Sequence, residues 1–218
     1  MNCFYNDNCK LENTKECDES CLRRSEINFL LGSSLIPLSK QKRFTFDLGG
    51  SDVKSYDRLM SIGENIYDFV SNGNNLVIQS GVTGNGKTTW AIQLMLSYFD
   101  KVWAGNGFTP RGYFIHVPTY LSQYKNFSDS EEFSEIKKNI NVIDLIILDD
   151  LGAYKTSEFD NSILNTIVDQ RLLNEKSIIT TTNLDATGLK ICVGQRIVDR
   201  LWNSSQIVRF NSSGFRGK

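Results

Sequence analysis

Hydrophobic and polar residues follow one another along the chain in blocks whose lengths predict alternating strands and helices. Several short apolar segments, bounded by polar or turn residues, have the length and composition of strands. They are NLVIQS (75–80), GYFIHVP (112–118), DLIILDD (144–150), SIITTTN (177–183) and QIVRF (206–210). Strands this continuously apolar are covered on both faces, so the pattern predicts an α/β fold with a central parallel sheet flanked by helices.

Helical spacing fills the intervening segments. One helical face before the first strand carries Leu59, Ile62, Ile66, Phe69 and Val70. A second, between the third and fourth strands, carries Phe159, Ile163, Ile167 and Arg171 at intervals of four. TTWAIQLMLSYF (88–99) contains no glycine or proline and predicts a helix directly after the first strand.

The N-terminal region differs from the rest in its cysteines. LRRSEINFLLG (22–32) predicts a short helix, and Pro37, Gly49 and Gly50 predict an extended linker after it. We therefore expect a small module at 1–32 and the main domain at 33–218. The module contains four clustered cysteines. In a reducing compartment they favour a zinc site over disulfides, and the alternative is four unliganded thiols. These predicted zinc ligands are Cys3, Cys9, Cys17 and Cys21.

The stretch SGVTGNGKTTW (80–90) joins the first strand to the helix after it. It fits the phosphate-binding pattern G-x-x-x-x-G-K-[ST] at every fixed position and has the required strand before it and helix after it. Backbone N–H groups of such a loop and the helix N-terminus attract phosphate oxygens. The residues assigned to binding ATP are Gly81, Val82, Thr83, Gly84, Asn85, Gly86, Lys87, Thr88 and Thr89.

Acidic residues at the end of the third apolar segment complete the predicted chemistry. Asp149 is placed at the carboxyl end of that strand, where it and the Thr88 hydroxyl are predicted to hold Mg²⁺. Asp150 is the candidate for orienting and deprotonating the attacking water. Asn183, at the end of the fourth segment, offers an amide to the water or γ-phosphate. His116 is interpreted as a packed strand residue.

Two arginines and an aromatic segment each have two interpretations. Arg196 and Arg200 share a helical face; Arg196 is a candidate partner for Asp199, while Arg200 is either structural or a cation for a neighbouring subunit's reaction. TYLSQYKNF (119–127) offers Tyr124 and Lys125 to single-stranded DNA, but its helical spacing equally favours a core-facing stripe.

Charge and hydropathy limit the possible partners. The chain has 24 basic and 25 acidic residues in 218, a net charge of −1, so nucleic acid binding must come from local clusters. No apolar run approaches the roughly 18 residues of a membrane span. We expect a cytoplasmic protein without a membrane partner.

The motifs taken together resemble AAA+ ATPases of the DnaC/DnaI helicase-loader group, which are related to the transposition helper IstB. The resemblance covers residues 33–218 and depends on GVTGNGKTT, VPTYLSQYK, LIILDDLGA, IITTTNLD, RIVDRLW and FNSSGFRGK. It implies an AAA+ domain with a minimal lid and a small N-terminal zinc-binding module. The implied roles are Lys87 and Thr88 in the first Walker motif, Asp149 and Asp150 in the second, Asn183 as sensor 1, Arg200 as the trans arginine finger and Arg216 as sensor 2.

The resemblance further implies ATP hydrolysis in an oligomer, contact with single-stranded DNA, and a replicative helicase as partner, compatible with a phage or cellular origin. A transposition helper using the same ATPase is one alternative. A P-loop kinase for a small molecule is another, although the sequence shows no distinct acceptor site or basic lid.

Overall fold

A sheet of parallel strands lies at the centre of the molecule. The computed structural model describes residues 9, 14, 17, 20–44, 51–127 and 130–211. The strands are β1 Asn75–Gln79, β2 Gly112–His116, β3 Leu145–Asp149, β4 Ser177–Thr182 and β5 Ser205–Arg209. They lie in the order β2-β3-β4-β1-β5, and all neighbouring pairs are parallel. The prediction of a central parallel sheet is confirmed.

Helices cover both faces of this sheet. They are α1 Leu22–Ser33, α2 Val53–Glu64, α3 Ile66–Ser71, α4 Lys87–Val102, α5 Val117–Asn126, α6 Glu131–Asn139, α7 Glu158–Leu173, α8 Ala186–Val193 and α9 Gln195–Asn203. Apolar residues of α1 to α4 form a core on one face, and those of α5 to α9 form a core on the other. Within the described ranges, no helix is both long and apolar enough to cross a membrane.

Three local predictions need correction. The apolar face before β1 is divided between α2 and α3, because Asn65 leaves helical geometry (φ −104°, ψ 25°) and its side-chain amide donates to the Ser61 carbonyl at 2.9 Å. Strand β2 ends at His116, because Pro118 lies in the first turn of α5, a position that suits a residue without an N–H. Phe159 belongs to the first turn of α7 but is 54% exposed, so it does not share the buried face.

The N-terminal helix packs on the main domain. Ile27 and Leu30 of α1 are buried in the core formed with α4. The carbonyl of Ser34 accepts the backbone N–H of Phe114 at 2.7 Å, so the segment after α1 pairs with the exposed edge of β2. Part of the predicted linker is a 3-10 turn at Leu38–Lys40. The domain boundary at residue 33 stays a prediction. Helix α1, which precedes this boundary, packs against the core of the main domain.

Arg171 anchors the carboxyl end of α7. Its fully buried guanidinium donates to the carbonyls of Ile140 (2.6 Å), Ile143 (3.0 Å), Asp144 (3.0 Å) and Ser177 (2.7 Å). Burial lowers the pKa of Arg171 to about 9, so the group remains charged at neutral pH. These bonds tie α7 to the loop before β3 and to the start of β4.

Candidate functional site

The glycine loop leaves β1 and turns directly into α4. Gly84 and Gly86 have left-handed backbones (φ 76° and 91°), which glycine adopts without a Cβ penalty. The Ser80 hydroxyl accepts the backbone N–H of Val82 at 3.1 Å and the side-chain amide of Asn85. The loop is therefore held by its own polar groups, with the exposed stretch 81–83 above the N-terminus of α4.

Lys87 begins α4 and folds back over this loop. Its Nζ donates to the Val82 carbonyl at 2.9 Å and to Asn85 Oδ1 at 3.0 Å. Asn85 is buried, and its side chain supports the loop from within by contacting Ser80 and Lys87. The ammonium and the first N–H groups of α4 place positive charge beside the loop, which suits a phosphate.

The carboxylate of Asp149 meets this loop from the adjoining part of the sheet. Its Oδ1 accepts the hydroxyls of Thr88 and Thr181, each at 2.8 Å. The side chain is buried, and burial raises the pKa of Asp149 while the two hydroxyl donors lower it. Three elements, α4, β3 and β4, therefore converge on one carboxylate oxygen.

A magnesium ion with its nucleotide is implied by this set of residues. Mg²⁺ takes oxygen ligands, commonly one or two carboxylates together with phosphate oxygens. The 2.8 Å contact between Thr88 and Asp149 places a hydroxyl and a buried carboxylate at one point beside the glycine loop. Thr88 and Asp149 therefore fit the ion, which when bound neutralises charge on phosphate oxygens.

Asp150 follows in a left-handed backbone conformation (φ 57°), which is uncommon for a residue with a side chain. Its backbone N–H donates to Thr181 Oγ1 at 3.0 Å, and its side chain is 39% exposed. The Nε2 atom of His116 lies 3.7 Å from Asp150 Oδ2, while Nδ1 lies 2.7 Å from the Thr119 hydroxyl. The interpretation of His116 as a packed residue is wrong: it ends β2 and joins the polar edge.

Asn183 follows β4 on the same edge of the sheet. Its Oδ1 atom is buried and has no hydrogen-bond partner in the described part of the chain. Buried amide oxygens are normally paired, so this oxygen is an exception at the polar edge of the sheet. Its assignment to the water or γ-phosphate remains a prediction.

Arg196 and Arg200 both contact Asp169 on α7. Arg196 Nη2 lies 2.9 Å from Asp169 Oδ2, and Arg200 Nη1 forms an ion pair with Asp169 Oδ1. The predicted pair between Arg196 and Asp199 is wrong; Asp199 accepts the side-chain amide of Gln195 on its own helix. The two arginines project from α9 toward α7, where the carboxylate lies between them.

The proposed DNA residues Tyr124 and Lys125 have partners within the chain. Tyr124 makes edge contacts with the rings of Tyr120, Phe133 and Phe159, with centroids 5.8 to 6.1 Å apart. Lys125 Nζ lies 2.8 Å from Asp160 Oδ1. Tyr120 is buried, as the core-facing interpretation expects, and Tyr124 lies at the margin of the same core.

Among the predicted zinc ligands, Cys3 lies outside the described residues, as does Arg216 among the nucleotide ligands. Cys9, Cys17 and Cys21 are free thiols. In the described ranges, the side chains gathered closely enough for one ion are His116, Asp149 and Asp150, and these three cysteines do not form such a group. The zinc site therefore stays a prediction.

Sequence patterns missed two residues that organise the site. Thr181 lies within the fourth predicted strand, where a buried hydroxyl usually has a hydrogen-bond partner, and this is a usable but not a decisive signal. Asp169 lies 27 and 31 positions from Arg196 and Arg200, and no local pattern links them.

Comparison with known proteins places this geometry in a family. A model of the IstB-like ATP binding protein family matches residues 33–218. The chain is 32% identical to the replicative helicase loader DnaC of Buchnera aphidicola subsp. Baizongia pistaciae over 108 residues, which are 48% of this chain and 44% of that relative. It is 24% identical to the uncharacterized protein YdaV of Escherichia coli K12 over 213 residues, 94% of this chain and 81% of YdaV. The DnaC match thus spans less than half of that relative's length.

Solved structures with the same fold include replication proteins. A crystal structure of DnaI has a TM-score of 0.67 at 17% identity and covers 82% of this chain and 96% of that one. A crystal structure of the DnaC helicase loader has a TM-score of 0.60 at 21% identity, covering 76% and 95%. The initiator DnaA bound to AMPPCP and single-stranded DNA has a TM-score of 0.62 at 19% identity, covering 77% and 49%. Because the family model covers most of the chain and the glycine loop meets Asp149 as its fold requires, this chain belongs to the IstB-like ATP-binding family and has the AAA+ fold of DnaC and DnaI.

Proposed function

We propose that this protein is an ATP-hydrolysing loader of a replicative DNA helicase. The observation that carries the proposal is the convergence of the glycine loop, Thr88 and the acidic pair Asp149 and Asp150 on one sheet edge. The helicase as partner is supported by the name of the relatives called replicative helicase loader DnaC.

Each residue at this edge has a separate role in the proposed hydrolysis. Lys87 and the N-terminus of α4 would bind the β- and γ-phosphates, while Thr88 and Asp149 would hold Mg²⁺. Asp150 accepts a proton from the water whose oxygen attacks the γ-phosphorus, as the bond from phosphorus to the ADP oxygen breaks. Asn183 orients that water, and Arg200 of a neighbouring copy stabilises the charge that develops on the γ-phosphate.

Phosphate release in the presence of magnesium tests the ATPase. Lys87→Ala and Asp150→Asn should each abolish turnover, whereas Lys101→Ala, on an exposed turn of the same helix α4, should keep it. Arg200→Ala should keep ATP binding and lose turnover. Unchanged turnover in Lys87→Ala would refute the assignment of the loop.

We propose in addition that α5 contacts single-stranded DNA through Tyr124 and Lys125. Lys125 is already paired with Asp160, whose side chain is only 2% exposed, so a phosphate would compete with that carboxylate. Asp160→Asn weakens the pair while keeping the lysine charge, and should therefore raise DNA affinity, whereas Lys125→Ala should lower it. DNA affinity unchanged in both variants, measured by fluorescence anisotropy, would leave Lys125 with a purely structural role.

A transposition helper is the second candidate, favoured by the IstB-like family model. Both functions use the same ATPase, so they are separated by the partner that the full-length chain retains in a pull-down. Retention of a replicative helicase, lost when the N-terminal cysteines are changed to serine, supports the loader and the predicted docking module. Retention of a transposase alone would favour the helper. Recovery of the γ-phosphate on an acceptor molecule would instead indicate a kinase.

A further inference from the structure

One carboxylate on α7 holds both arginines of α9. Asp169 Oδ2 accepts Arg196 Nη2 at 2.9 Å, while Oδ1 pairs with Arg200 Nη1. Each arginine thus uses a separate oxygen, and the carboxylate fixes the spacing between the two guanidinium groups. The Asp169 side chain is 17% exposed, whereas Arg196 and Arg200 are 65% and 38% exposed. The carboxylate is therefore mostly buried, whereas both guanidinium groups remain accessible to solvent.

The helices that carry these groups are held in place by buried contacts. Arg171, two residues beyond Asp169, ties α7 to four backbone carbonyls. Helix α9 is fixed by Ile197, Val198 and Leu201, all of which are buried in the core shared with α7. The position of the Asp169 carboxylate is therefore set by the fold.

The pairing leaves Arg200 able to bind an anion. Two guanidinium groups on one carboxylate give the cluster a net charge of about +1, since arginine remains protonated in proteins. Arg200 donates through Nη1 and keeps other N–H donors of its fork. An arginine side chain loses much rotamer freedom when it binds, and a contact that orders it before the phosphate arrives reduces this entropy loss.

We propose that Asp169 is the positioning residue for the arginine finger: it orients Arg200 of one copy toward the γ-phosphate bound by the next. The inference rests on the proposed function, because it takes Arg200 as a trans-acting group. Asp169 itself contacts no substrate and acts only through the arginine that it holds.

Turnover and nucleotide affinity of the assembled full-length protein test this role. Asp169→Asn removes the charge but keeps the size, and should lower kcat about tenfold with little change in KM for ATP, because misplacing one catalytic group typically costs one to two orders of magnitude. Asp199→Asn, an exposed carboxylate on α9, is the matched control and should leave kcat unchanged. Adding Asp169→Asn to Arg200→Ala should have no further effect on kcat.

Mixing variants separates positioning from a merely structural role. Asp150→Asn copies cannot hydrolyse ATP but keep an ordered Arg200, whereas Asp169→Asn copies keep an intact nucleotide site. Mixed assemblies should therefore hydrolyse ATP faster than the sum of the two separate variants. Absence of this gain would overturn the inference, since a misfolded Asp169→Asn subunit would not recover.

The variants also distinguish the positioning role of Asp169 from the proposed ATPase function. If Arg200→Ala keeps full turnover, the trans finger and the proposed oligomeric ATPase fail together. If Arg200→Ala loses turnover while Asp169→Asn keeps it, Arg200 acts as the trans finger and Asp169 has no positioning role.

Discussion

The substitution Thr181→Val removes one hydroxyl from the carboxyl end of β4 and keeps the side-chain shape. That hydroxyl donates to Asp149 Oδ1 at 2.8 Å and accepts the Asp150 N–H at 3.0 Å. A hydrogen bond to a charged group contributes about 1.5–3 kcal/mol, and a buried group left without a partner costs about 1–3 kcal/mol. We expect the free energy of unfolding to fall by about 3 kcal/mol. For a domain of this size that lowers Tm by about 6–12 °C.

Thr180, the preceding residue of β4, provides the matched control. It is 1% exposed, and its Oγ1 has no hydrogen-bond partner among the residues that the structure describes. Thr180→Val removes a buried unpaired hydroxyl, so stability should stay constant or rise by about 1 kcal/mol. Urea denaturation with a chelator and without nucleotide measures both variants. Equal losses in the two would refute the assigned role of the Thr181 hydroxyl, and ATP turnover should fall only in Thr181→Val.

The pH dependence gives an independent measurement of the same contact. Burial raises the pKa of Asp149, and the hydroxyls of Thr181 and Thr88 partly oppose it. Thr181→Val should raise that pKa further. The stability difference from wild type should then be smallest at acid pH, where Asp149 is protonated in both proteins, and grow as pH rises through the folded-state pKa. A difference independent of pH would contradict an interaction with the carboxylate.

Other variants test separate parts of the structure by the same denaturation assay. Burial raises the folded-state pKa of Asp149, so the ionised carboxylate destabilises the fold increasingly as pH rises through that pKa. Asp149→Asn should therefore raise the free energy of unfolding at neutral pH with chelator present, and a loss of stability would contradict this. Gly105→Ala should lower the free energy of unfolding by about 1 kcal/mol, because its left-handed backbone disfavours a Cβ. Gly152→Ala should lower it by about 1–3 kcal/mol more, because its Cβ would lie 2.7 Å from Leu189 Cδ2. Equal losses in the two variants would exclude the clash. Arg171→Met should cost about 3–5 kcal/mol, since several buried carbonyls lose their donor, and a cost under about 1 kcal/mol would show that the anchor is dispensable.

The sheet and the phosphate loop could be predicted because their signals are local. Lys87 and Thr88 stand at fixed spacing within one short segment, and the apolar run before Asp149 marks a buried strand. Asp149 and Thr88 meet because parallel strands end at the same edge of the sheet, which follows from the fold class. The contact of Asp169 with Arg200 joins two helices distant in sequence, so only tertiary packing reveals it.

Sequence periodicity was least informative where an element ends. His116 continues an apolar pattern, and nothing in that pattern says that β2 stops there and that the imidazole reaches the acidic edge. Tyr124 and Lys125 suit DNA binding by residue type, yet each is already engaged by side chains from other helices. Residue type indicates which ligands a side chain can bind, whereas availability depends on neighbours that arrive from elsewhere in the chain.

Two energetically unfavourable features occupy consecutive positions at the carboxyl end of β3. Asp149 is a carboxylate in a buried environment, and Asp150 has a left-handed backbone, which costs a residue with a side chain about 1–3 kcal/mol. Thr181 contacts both, by donating to the first and accepting from the second. A sheet edge selected only for stability would need neither the charge nor the backbone strain. Both features are explained if this edge must present one carboxylate to a metal and the next to a water, with a single threonine on the adjoining strand reducing their cost.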